Sequence, residues 1–336
     1  MPGPDPSQIT CFLYDPEPGV RRLLRDAIAG CGLRQVETFA RIDALGAAIG
    51  AEAPDLLVAD AAGPADQSLS LIYRMRHGLV GANPFPGVIV TAFNPTRQLV
   101  QRVTNSGADA LLVKPVAPRS LRERISALME APRTFVVTSD YIGPDRRRTP
   151  RAGNPAPMVN VPNTMHLKAS GLAREPDLRA LIEDASAQVN ELRIARLAFR
   201  VAFLIEFARP GLAARPPDGL CVDHLLRVPA VVRDLIRRLP ADAPDRDPPI
   251  AERARRLTGE VERIAARIRA GEGGGGTASI VPELGELGRL ALDLMAGIEP
   301  GRDRPQMADE VDAAVNAYRI RLETSARQRR GDAVVA

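Results

Sequence analysis

Five short apolar runs punctuate the first 130 residues, at 11–14, 36–39, 56–59, 88–90 and 111–113. Runs of this length suit strands covered on both faces, as in a parallel sheet between helical layers. Between them, Val20, Leu23, Leu24, Ala27 and Ile28 recur at helical spacing, as do Leu99, Val100 and Val103, and then Leu121, Ile125 and Leu128. Gly30 and Gly32 give the first helix a place to stop. The pattern predicts an α/β fold over residues 8–130: a doubly wound, five-stranded parallel sheet. Ligands of such sheets bind outside the carboxyl ends of the strands.

Asp15, Asp60, Thr91 and Lys114 stand at those ends. Lysine is scarce here, two among 45 basic residues, and arginine is the default cation. A lysine in Val113-Lys114-Pro115 therefore points to a task for a compact ammonium, one that can enter a small acidic pocket as a point charge. Four stretches carry a family likeness: Phe12-Leu13-Tyr14-Asp15-Pro16-Glu17-Pro18, Pro54-Asp55-Leu56-Leu57-Val58-Ala59-Asp60, Val90-Thr91-Ala92 and Val113-Lys114-Pro115. In this order they resemble the receiver domain of two-component response regulators, over about residues 8 to 130. The resemblance implies that Asp60 is the phospho-acceptor, with Thr91 and Lys114 contacting the phosphoryl group. It further implies Mg2+ held at Asp15 and Asp60, and a sensor histidine kinase or phosphotransfer protein as donor.

Two positions depart from the family pattern. Where receivers carry a second acid after the first strand, this chain has Pro16, which offers neither a side-chain oxygen nor an N–H. Three residues before the lysine, where an aromatic is usual, stands Leu111. Phosphorylation of Asp60 and signalling by binding alone are both compatible with such a pocket. The Gly81-Ala82-Asn83-Pro84-Phe85-Pro86 segment reads as an extended structural turn before the fourth strand, at the end of the sheet away from the acids.

A chain of 336 residues has room for a second domain. Three cysteines without a CxxC pair argue against a disulfide framework, and Cys11 falls inside an apolar strand. No segment approaches the ~20 apolar residues that span a bilayer. The amino terminus lacks the basic start and apolar core of a signal peptide, so a cytoplasmic protein is expected.

Residues 131–176 read as a proline- and arginine-rich linker, with one extended segment at Phe135-Val136-Val137-Thr138. Arg147 and Arg151 have the RxxxR spacing of cyclic-di-GMP-binding barrels, but no DxSxxG-like strand follows. Residues 177–328 predict an all-α helical bundle. Leu178, Ala185, Leu192 and Phe199 repeat every seven residues, as do Ile182, Val189 and Phe203, with Arg196 as the break. Further seams run through Val222, Leu225 and Val232, through Ile250 to Ile268, through Leu284 to Leu294 and through Val311 to Leu322, with a glycine-rich loop at 271–279.

His224, in Asp223-His224-Leu225-Leu226-Arg227-Val228-Pro229, faintly resembles the histidine box of sensor kinases, though Leu225 replaces the acid that follows the histidine. The expectation is a non-enzymatic, response-regulator-like adaptor, its helical region meeting a protein partner or a second copy of itself. The alternatives are a DNA-binding transcriptional regulator using Arg233 to Arg238, and a phosphorelay protein with a phospho-accepting His224. A net charge of only +4 gives little electrostatic footprint for DNA.

Overall fold

The computed structural model describes residues 5–61, 66–146, 157–172, 174–214, 217–239, 250–270 and 273–335. Two compact units divide the chain, Met1–Asn190 and Glu191–Ala336. The first holds the predicted sheet: β1 (Thr10–Tyr14), β2 (Gln35–Phe39), β3 (Leu56–Asp60), β4 (Gly87–Ala92) and β5 (Ala110–Val113), all parallel in the order β2-β1-β3-β4-β5. Helices α1 (Pro18–Ala29), α2 (Ile42–Ala51), α3 (Gln67–Arg76), α4 (Arg97–Asn105) and α5 (Pro118–Glu130) connect and follow the strands.

Strand alternation sorts the core into two layers. Phe12, Tyr14, Leu57, Ala59, Val88 and Val90 face α2 and α3, joined there by Leu45, Ile49, Leu71, Ile72 and Met75. Cys11, Leu13, Leu56, Val58 and Ile89 face α1 and α5, against Leu24, Ile28, Leu121 and Ile125. Each fully buried side chain of this size stabilises by about 1.5–3 kcal/mol relative to exposure. Proline at the first helical position starts α1 and α5, where the missing N–H is no loss. The Thr96 hydroxyl accepts from Leu99 N–H at 3.2 Å and starts α4. Two residues assigned by spacing to inner stripes face outward instead, Leu23 (72% exposed) and Val100.

The described residues among 131–176 are not the solvated linker their composition predicts. They build an antiparallel sheet of β6 (Arg133–Val137), β7 (Ile142–Pro144) and β8 (Met158–Val161), in the order β7-β6-β8, followed by α6 (Thr164–Ala169). The segment borrows a core rather than making one. Met165 and Ala169 complete the α1/α5 layer, and Phe135 meets Phe85 edge to face at 5.5 Å. Phe85 lies in the 81–86 turn, which proves structural: Asn83 donates to Pro54 O and accepts from Phe85 N–H.

Buried charge fastens the extension to the amino-terminal end of the parallel sheet. Asp109 accepts from Arg76 at 2.9 Å and from Arg133 at 2.8 and 3.0 Å, and its Oδ2 also takes Val88 N–H. Arg76 spends its other donors on Gly107 O and Pro84 O. Burial holds its pKa down to about 10, against the opposing charge of Asp109. Gly107 has φ +85, and a Cβ there would fall 2.6 Å from Ile142 O, so only glycine lets β7 approach. Asn163 caps α6 through His166 N–H while donating to the Leu128, Met129 and Ala131 carbonyls at the end of α5. The second lysine, Lys168, reaches Asp55 at 2.9 Å. Arg147 and Arg151 lie outside the described residues.

The second unit is helical: α7 (Glu175–Leu212), within which the unit boundary falls, α8 (Gly219–Arg238), α9 (Ile250–Arg269), α10 (Gly273–Ile298) and α11 (Arg304–Val335). In α7 the buried positions Leu197, Ala198, Val201, Ala202, Leu204, Ile205, Phe207 and Ala208 are wider than a heptad seam, and Phe199 and Phe203 are only partly buried. Small residues on several faces let neighbouring helices approach from more than one side, and a single stripe does not suffice. α10 begins within the glycine-rich stretch predicted as a loop.

The thiols offer a direct check on packing. Cys11 and Cys221 are buried and Cys31 is half-buried. Burial pushes the Cys11 thiol well above its usual 9.0, and that of Cys221 upward too. In native protein at pH 8 a disulfide reagent should modify Cys31 readily and the other two only after urea is added. The raised folded-state pKa of Cys11 favours folding fully below pH 9, and this contribution is lost as pH rises beyond it. Equal rates for the three thiols would contradict this packing.

Candidate functional site

Parallel register places the four predicted residues along one edge. Asp60 and Thr91 are paired across β3 and β4, Tyr14 is opposite Ala59, and Lys114 N–H donates to Ala92 O at 2.8 Å just beyond the β4–β5 pairing. Asp15 follows Tyr14, so the two carboxylates emerge from adjacent strands.

Lys114 lies across both. Its Nζ is 2.6 Å from Asp15 Oδ2 and 2.5 Å from Asp60 Oδ1, and the three side chains are only 4%, 1% and 2% exposed. An ammonium suits this position because it can donate to two acceptors from one atom; a guanidinium is a wider, planar fork. The Lys114–Pro115 peptide is cis. Thr91 is fully buried, and its Oγ1 makes no hydrogen bond among the described residues. Burial, reinforced by the charges of Asp60 and Asp15, raises the pKa of the Tyr14 phenol against the opposing pull of Lys114.

Three contacts were not anticipated from sequence. Phe93, 59% exposed, places its ring 5.1 Å from Lys114 Nζ. The position three before the lysine has no aromatic, but this one stands two residues beyond Thr91, where the strand end could have suggested it. Asp15 Oδ1 accepts from Glu17 N–H at 2.9 Å, an Asx-type turn spanning Pro16. Arg21, on the first turn of α1, donates to Asp15 O at 2.6 Å and to Pro16 O at 3.4 Å.

This donor set does not fit a resident Mg2+, which demands near-octahedral oxygen ligation. Asp15 has one oxygen on Glu17 N–H and the other on Lys114, while Asp60 Oδ1 is also on Lys114. Pro16 supplies no side-chain oxygen, and Glu17 is exposed. The segment Ala61-Ala62-Gly63-Pro64-Ala65 after Asp60 contains no side-chain oxygen. Among the described residues no three His, Cys, Asp or Glu side chains gather as a metal set.

His224, the alternative phospho-acceptor, is buried in the helical unit. It is 3% exposed; Nδ1 donates to Leu220 O at 2.7 Å, which leaves Nε2 to accept from Tyr318 OH at 3.5 Å. Phe207 and Tyr318 rings pack beside it. Both ring nitrogens therefore have partners within the helical unit. Arg233 to Arg238 form no separate recognition helix. They end the 20-residue α8, with Val232 and Leu235 in the core and Arg237 and Arg238 paired to Asp234. No described helix is long and apolar enough to cross a membrane.

No protein-family model matches the sequence, and no curated protein does. Solved structures similar in fold include a protein described as pilus assembly-related from Burkholderia pseudomallei, with 18% identity over 36% of this chain and 88% of that one, at TM-score 0.32. A response regulator receiver domain protein from Clostridium thermocellum has 17% identity over 35% and 91%, at TM-score 0.31. A pilus assembly protein from Burkholderia thailandensis has 16% identity over 35% and 95%, at TM-score 0.30. The strand order β2-β1-β3-β4-β5, with Asp15, Asp60, Thr91 and Lys114 at its carboxyl edge, gives the first third of this chain a doubly wound, receiver-like fold.

Proposed function

We propose that the protein is a response-regulator-like adaptor. In this reading Asp60 takes a phosphoryl group from a sensor histidine kinase or phosphotransfer protein, and the helical unit meets a protein partner. The supporting observation is the Asp60 carboxylate beside a buried ammonium and a buried hydroxyl that makes no hydrogen bond among the described residues. An Asp60 oxygen attacks phosphorus as the bond to the donor imidazole breaks. Lys114 then neutralises a phosphoryl oxygen and Thr91 donates to another. The new charge pulls Lys114 from its bridge to Asp15, a local electrostatic event that biases the surrounding loops.

Incubation with labelled acetyl phosphate or a phosphorylated phosphotransfer domain should leave hydroxylamine-labile phosphate on wild type and none on Asp60→Asn. Thr91→Ala should lower the yield about tenfold while leaving the fold intact. An unlabelled wild type would remove phosphorylation from the reading and leave an adaptor that signals by binding.

A further inference from the structure

We infer that this pocket carries its own cations in place of a divalent metal: Lys114 on the carboxylates and Arg21 on the loop carbonyls, with Pro16 as the residue that excludes the metal. The inference concerns the pocket of the proposed adaptor but does not depend on its phosphorylation. Two unit charges stand where one divalent ion would otherwise act. The ammonium is within 2.6 Å of both acids. The guanidinium occupies Asp15 O at 2.6 Å and reaches Pro16 O at 3.4 Å, so it already covers the backbone oxygens of the β1–α1 loop.

The loop is also shaped against a metal. Glu17 N–H ties down Asp15 Oδ1, and so fixes the carboxylate with its other oxygen on Lys114. Mg2+ gives up its water reluctantly and needs several free oxygens in fixed directions. Replacing an acid by Pro16 removes one such oxygen and one negative charge together. With Asp15, Asp60 and Lys114 charged, the closed trio holds a single net negative charge, too little to draw a hydrated divalent ion past an ammonium already in contact.

Mn2+ serves as the probe, its free concentration read by electron paramagnetic resonance in the presence of the full, unmodified chain. Wild type should bind no Mn2+ at Asp60 at millimolar concentration. Pro16→Asp should bind one equivalent at least tenfold more tightly, and Asp60→Asn in that background should abolish it. One equivalent bound by wild type and lost in Asp60→Asn would overturn the inference, whatever the phosphorylation result. A folded Pro16→Asp protein that gains no Mn2+ site would overturn the assignment of the exclusion to Pro16. Should Pro16→Asp fail to fold, the wild-type and Asp60→Asn titrations still decide the main point.

Discussion

Replacing Lys114 with methionine is expected to destabilise the receiver-like unit by about 3–5 kcal/mol, the usual loss when one partner of a buried ion pair is removed. Methionine keeps much of the length and apolar body of lysine but leaves Asp15 and Asp60 facing one another without the ammonium. Both carboxylates are almost fully buried, so water cannot take its place. Lys114→Arg should also destabilise, because a planar fork cannot place one nitrogen within 2.6 Å of both oxygens without moving a strand. Amide hydrogen exchange in β1, β3 and β4 measures the effect in the full chain. Asp60→Asn added to Lys114→Met should recover part of the loss by removing the uncompensated charge. A change below about 1 kcal/mol would mean the bridge acts like an exposed ion pair, and the closed pocket described above would be wrong.

Phe135→Ala is the second large effect, at about 3–5 kcal/mol for a buried phenylalanine. Its ring fills the seam between β6 and the 81–86 turn and lies against two buried guanidinium groups, Arg76 at 5.0 Å and Arg133 at 5.4 Å. Truncation therefore removes apolar area and also the faces on which those cations rest. The expected signature is local: faster exchange in β6 and β4, and new protease cleavage between 131 and 172. The carboxyl edge at Lys114 should be less affected, since the seam is at the opposite end of the strands. Unchanged proteolysis with a loss below about 1 kcal/mol would show that 133–169 does not depend on this seam.

The 133–169 region shows where sequence reading falls short. Proline, asparagine and glycine between short apolar stretches predict a solvated linker, because such a segment cannot bury enough surface alone. In the folded chain it shares the core of the parallel sheet. Met165 and Phe135 enter a core supplied by residues far earlier in the chain, and Asp109 pairs Arg76 with Arg133 across 33 and 24 residues. No periodicity encodes such pairing. His224 errs in the other direction: its neighbours in sequence resemble a phospho-accepting box, while its neighbours in space, Phe207 and Tyr318, seal the ring.

By itself, the sequence determined the parallel sheet, the existence of the later helices, and the meeting of Asp15, Asp60, Thr91 and Lys114 at one edge. These follow from local signals: apolar runs of strand length, helical spacing, and polar residues where each run ends. Only the tertiary structure decided that Lys114 bridges both acids, that Arg21 and Glu17 N–H hold the loop around Pro16, and that Phe93 stands over the ammonium. It also decided which side chains of α7 are enclosed on several faces. Charge pairing and enclosure depend on distances between atoms that neither composition nor spacing along one chain contains.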